Sequence, residues 1–152
     1  MKKVISIVSA LVLCLAVFAG CGAKEVKLSE VMNKLNSDFS LSLKALESTN
    51  NLNKYYSINT ADVKQFAAEI DPNNNAPVEI VLVEATNADA AGKIETALTN
   101  RYKSIYSQYS SYTPEKLSMV KDCKVTKDGN FVTMIVADKA PEMLEAFYKF
   151  IK

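Results

Sequence analysis

Histidine and tryptophan are absent from this 152-residue chain, and Arg101 is its only arginine against seventeen lysines. Without histidine, Ser-His-Asp and Cys-His catalysis and histidine-ligated metal centres are excluded. The scarcity of arginine and tryptophan makes oligosaccharide and nucleobase stacking sites poor expectations. Three cysteines, Cys14, Cys21 and Cys123, leave little room for a disulfide framework. Charge of one sign is lacking too, with 18 basic residues against 17 acidic ones. A balanced chain gives no reason to expect nucleic acid or an anionic surface as its partner. Neither a cofactor nor a metal is expected.

What is present begins at the N-terminus. Met1-Lys2-Lys3 is followed by an apolar run from Val4 to Phe18, broken only by Ser6 and Ser9, and then by Ala19-Gly20-Cys21. A basic start, an apolar core of this length and a small-residue ending describe a secretory signal peptide over residues 1–20. As a helix the apolar run reaches about 22 Å, short of the ~30 Å hydrocarbon core that a permanent span must cross. "VFAGC" resembles the lipobox of bacterial lipoproteins, in which the cysteine receives a diacylglyceryl group and becomes the first residue after cleavage. The resemblance implies acylation of Cys21; the residues that follow read as a lipidated tether over 21–27, and the remaining length suits one domain over 28–152. Two acyl chains anchor stably where one binds only marginally. Cys14 leaves with the signal and Cys21 carries lipid, so Cys123 is left without a partner in the chain.

Along the domain, Leu28, Val31, Met32 and Leu35 repeat at helical spacing and predict a short helix from Ser29. Ser48 to Asn51 reads as a turn before a brief helix through Leu52, Tyr55 and Tyr56. "VKQFAAEI", Val63 to Ile70, alternates as a half-exposed strand would, with Phe66, Ala68 and Ile70 opposite Gln65 and Glu69. "VEIVLVEA", Val78 to Ala85, is apolar on both faces and suits a central strand. Asn87 or Asp89 can cap a long helix running to about Tyr109. Strands are expected near 118–126 and 130–137, joined at Asp128-Gly129, a strong hairpin signal. Ala140-Pro141-Glu142 opens a last helix. The order predicts an α+β fold. Its four-stranded antiparallel sheet follows β-β-α-β-β-α order, with an added N-terminal helical segment. Helices 88–110 and 140–151 are expected on one face, with residues 28–56 covering the other incompletely.

The run from "VEIVLVEA" through "NRYKSIYSQYSSYTPEKLSMVKDCKVTKDGNFVTMIVAD" resembles the domain-of-unknown-function family four-three-five-eight, a group of small lipoproteins from Gram-positive bacteria. The cues are the Val-Glu-Ile strand opening, the mid-helix arginine, Tyr112-Thr113-Pro114 at the helix exit and the Gly-aromatic hairpin. The resemblance spans roughly Leu28 to Phe150 and implies the fold and a membrane address, with no activity to transfer.

Several groupings invite chemistry. "SMVK", Ser118 to Lys121, matches Ser-x-x-Lys, but on a strand the two side chains would face opposite ways. Asp71, Asn73 and Asn75 begin like a calcium loop, yet Ala76 and Leu82 stand where glycine and a bidentate glutamate are needed. Tyr102, Tyr106, Tyr109 and Tyr112 suggest an aromatic platform. Ala91, Ile94, Leu98, Tyr102, Ile105 and Tyr109 also form one helical stripe, the signature of a core face. Arg101 flanks that stripe and suits a carboxylate held bidentately, either Glu79 or Glu84 within the chain or an anionic ligand. Cys123 reads as a buried, inert thiol. Arg101, Tyr106 and Tyr112 are thus the candidate ligand or partner contacts, and no catalytic residue emerges. The expectation is a non-catalytic binding or interaction module, lipid-anchored through Cys21 on the extracytoplasmic face of the cell membrane, meeting a membrane or cell-envelope protein. The alternative is a small extracytoplasmic enzyme that works without histidine. A transporter's solute receptor would need two lobes and is too large.

Overall fold

The computed structural model describes residues 25–73 and 75–152. The expected signal peptide over residues 1–20 and the expected lipidation site Cys21 lie outside the described residues. The elements are α1 (Leu28–Phe39), β1 (Lys44–Ala45), α2 (Thr49–Tyr56), β2 (Val63–Ile70), β3 (Glu79–Ala85), α3 (Ala88–Tyr112), α4 (Leu117–Lys121), β4 (Lys124–Asp128), β5 (Phe131–Val136) and α5 (Ala140–Ile151). The sheet has five strands in the order β1-β2-β3-β5-β4, every pair antiparallel. The fold is α+β, as expected, but the strand count is not four. The added strand, β1, is two residues long and pairs only with Glu69 and Ile70, too brief to leave an alternating pattern in the sequence.

Residues opposite one another in an antiparallel pair share a face, so the registers sort the sheet into two sides. Glu79, Val81 and Val83 stand with Val136, Met134 and Val132 on one face. Ile80, Leu82 and Glu84 stand with Ile135, Thr133 and Phe131 on the other. The first face is covered by α3, through Ala91, Ile94, Leu98 and Ile105, with α2 beside it. The second is covered jointly by α1, which buries Leu28, Val31, Met32 and Leu35, and by α5, whose Phe147 meets Phe131 edge-on. Helices 88–110 and 140–151 therefore lie on opposite faces, and the expectation of a shared face is corrected. The central strands are apolar on both sides, and splitting the helices between them removes both faces from water. Residues 28–39 do cover the second face, as expected. Residues 49–56 pack on the first, so α5 supplies the rest of the cover.

Local chemistry explains the element ends. Asn87 caps α3 by accepting from the Ala90 N–H at 2.9 Å, and Ser48 caps α2 through Asn50 at 3.2 Å. Ser48 to Asn51 is thus a cap and a first helical turn. No side chain at the start of α1 caps it; Gln65 of β2 reaches across and accepts from the Leu28 N–H at 2.9 Å. Gln65 and Glu69, expected on a half-exposed side, are covered by α1, where hydrogen bonds satisfy them. Gly129, at φ +58°, takes the first position of the two-residue turn between β4 and β5, where glycine's freedom is needed. The strand expected over 118–126 starts only at Lys124. Pro114 begins a tight turn that runs into α4, Val120 is fully buried, and the Tyr102 hydroxyl donates to the Val120 carbonyl at 3.0 Å. These contacts hold the segment helical. Leu117 and Val120 lie at helical spacing, which is the pattern that the structure follows.

Candidate functional site

A strand presents alternate residues to opposite faces, so Glu79 and Glu84 on β3 cannot both meet α3. Glu79 lies on the α3 face. Arg101 comes down from the middle of α3 and grips it at two points: Nε donates to Oε2 at 3.1 Å, and Nη2 donates to Oε1. Glu84, on the other face, accepts from Lys64 at 2.7 Å and from Gln65 at 2.6 Å. The Glu79 side chain is 11 % exposed and Arg101 34 %, so the pair sits at the mouth of the core. Its hydrogen bonds to Glu79 hold the Arg101 guanidinium firmly protonated, raising its pKa further.

Around this pair two recesses open, of about 230 and 280 Å³, and both are lined by Tyr55, Tyr56 and Arg101. The smaller runs under Pro77 and Tyr109 toward Asp71. Tyr56 is 3 % exposed, and among the described residues its hydroxyl finds no hydrogen bond of regular geometry. Burial first, then the neighbouring Glu79 carboxylate, pushes that phenol far above its ordinary value. Tyr109 shifts the same way, chiefly through desolvation and then through Asp71 and Glu79. Lys54 stands 5.2 Å from the centre of the Tyr55 ring. The result is a guanidinium with spare donors beside a buried phenol and aromatic walls. Arg101, Tyr56 and Tyr109 are each shifted toward their protonated forms.

Of the three candidate contact residues, only Arg101 lines these recesses; Tyr109 of the suggested aromatic platform, Asp71 and Glu79 line the smaller one beside it. Tyr106 lies 37 % exposed on α3, its ring 6.4 Å from that of Tyr102. Tyr112 is the last residue of α3 and is 84 % exposed, rather than part of an exit loop. Tyr55 and Tyr56, expected only as part of a brief helix, are not among the candidate site residues of the sequence. Two adjacent tyrosines closing an otherwise polar helix were the available signal.

The chain belongs to the Domain of unknown function (DUF4358) family. Its family model matches residues 23–137, which take in α1 through β5 and every residue of the Arg101 cleft. No curated protein and no solved structure matches the chain. In this DUF4358 chain the match stops short of α5, although Phe147 of that helix is a fully buried part of the core.

The other groupings in this DUF4358 domain resolve structurally. Asp71 accepts from the N–H groups of Asn73, Asn75 and Ala76 at 3.1, 2.7 and 2.8 Å. Those bonds lower its pKa and close the β2–β3 loop, which explains the calcium-like spacing. Among the described residues no acidic or cysteine cluster could hold a metal ion. Ser118 and Lys121 lie one turn apart on α4, not on a strand, so they share a side. Cys123 follows α4, is 3 % exposed, and its thiol donates to the Met119 carbonyl at 2.8 Å. Burial raises its pKa. A separate concavity of about 450 Å³ lies between β4 and α5 over Ile135, Leu144 and Tyr148 and shares no lining residue with the Arg101 recesses.

Proposed function

We propose that this protein is a lipid-anchored binding module, held through acylated Cys21 on the extracytoplasmic face of the cell membrane. It uses the cleft around Arg101 to hold a ligand or partner without transforming it. The observation that carries the reading is the state of the cleft's own groups. Arg101 is engaged bidentately by Glu79, and Tyr56 and Tyr109 are pushed away from ionisation. A general base or nucleophile would need the opposite tuning, toward the working pH. The same groups suit recognition, since aromatic walls and a preset guanidinium lose little freedom on binding. Ala19-Gly20-Cys21 after an apolar run supports the anchor.

The anchor is tested with Cys21→Ser in the full chain. The variant is expected to leave the membrane fraction and to lose labelled fatty acid. Unchanged membrane partition together with unchanged labelling would overturn the assignment. On cells stripped of their wall, external protease should degrade the native protein; full protection would refute the extracytoplasmic address.

A further inference from the structure

The sheet has two distinct ends, and the tether leaves from one of them. At the near end stand Gln65, Glu84, Phe131 and Asp128 in neighbouring register, beside the Gly129-Asn130 turn. Lys152, closing α5, reaches Asp128 at 3.6 Å, so the C-terminus lies at this end too. At the far end Ile70, Glu79 and Val136 align, and the Asp71–Pro77 loop joins β2 to β3. Gln65 fixes where the tether emerges. Its amide donates to the Val26 carbonyl at 2.6 Å and accepts from the Leu28 N–H at 2.9 Å. Only the six residues from Cys21 to Val26 separate the lipidated position from this fixed point, at most about 18 Å between their Cα atoms at full extension.

Strand β3 alone is about 24 Å long, and α3 runs about 37 Å from the near end past the far one. A tether of 18 Å fixed at the near end cannot turn the far end to the lipid, because it would have to run the whole length of the molecule. We infer that the near end, with the Gly129-Asn130 turn, Lys149, Lys152 and the exposed Phe150, faces the phospholipid surface, and that the Arg101 cleft opens away from it. This rests on the anchor proposed above. It deepens that reading by placing the cleft's partner outside the bilayer. Arg101, Tyr106 and Tyr112, the three candidate contact residues, all stand toward this far end, Tyr112 at the tip of α3.

The test uses the full lipidated chain in phosphatidylcholine–phosphatidylglycerol vesicles that carry nitroxide-labelled headgroups. A fluorophore is attached at Asn130→Cys or at Asn75→Cys, with Cys123 buried and Cys21 acylated. Quenching is expected to be severalfold stronger at position 130. A long Gly/Ser insertion after Gly22 should abolish the difference. Equal quenching on the native tether, or stronger quenching at position 75, overturns the orientation. A second pair, Lys149→Cys and Glu115→Cys, repeats the comparison should either first variant misfold. Flotation reads the anchor separately: a chain that does not float with vesicles defeats the anchor, while one that floats without the quenching difference defeats only the orientation.

Discussion

Replacing Arg101 by alanine should reveal how much of the fold's stability hangs on one buried carboxylate. The change strands Glu79, whose side chain is 11 % exposed, without its counter-charge. Breaking a buried ion pair by removing one partner costs about 3–5 kcal/mol. Water already reaches a third of the Arg101 side chain, which brings the expected loss to about 2–3 kcal/mol. For a domain of this size the melting temperature should fall by roughly 10 °C. Arg101→Lys keeps the charge and loses the fork, and should cost only about 1 kcal/mol. The double variant Glu79→Leu/Arg101→Met replaces the pair with apolar groups of similar bulk and should recover most of the loss. Calorimetry or thermal circular dichroism of a soluble form lacking residues 1–20 reads all three. An Arg101→Ala protein melting within about 2 °C of the parent, or a double variant worse than either single change, would refute the reasoning.

Phe147→Ala should cost about 3–5 kcal/mol in urea unfolding, because the ring is 1 % exposed and packs edge-on against Phe131. A loss under about 1 kcal/mol would mean that α5 is not integral to the core. Asp71 titrates below its ordinary value of 3.8, held there chiefly by the N–H groups of Asn73 and Ala76. A depressed carboxylate stabilises the fold above the unfolded pKa, and that contribution is lost as pH falls through the folded value. The stability gap between the native protein and Asp71→Asn should therefore be full at neutral pH and close in acid. A gap that stays constant on acidification would contradict the sign.

Much of the framework could be read from single residues. Asp128-Gly129 announced the β4–β5 hairpin because only a residue at ease with positive φ fits there. The unbroken apolar run of β3 announced a strand covered on both sides. What stayed hidden was the assignment of helices to faces. An amphipathic stripe says that a helix has a buried side, but not which side of a sheet it meets. The same limit held at the cleft. Strand parity shows that Glu79 and Glu84 exclude each other as partners for Arg101, yet nothing local chooses between them. Leu117 to Lys121 misled because five residues can satisfy period two and period three together; Pro114 and the Tyr102 hydroxyl, neither adjacent to the segment, decide it. Tyr56 could not be placed beside Glu79 without knowing that α2 crosses to the α3 side.

The two margins of the sheet bear on how copies of the chain behave when crowded. An open strand edge offers unpaired N–H and C=O groups to any neighbour, and a high local concentration raises the encounter rate of such edges. Here β1 spans only two residues, with Leu46 adding one more bond to Ala68 at 2.8 Å. At the other margin β4 sets Lys124, Lys127 and Asp128 among its five residues. A stub on one side and a charged rim on the other are both devices that discourage edge-to-edge pairing and fibre growth. Substituting Lys124 and Lys127 by β-branched apolar residues would remove that guard from β4, and self-association would then begin at this margin.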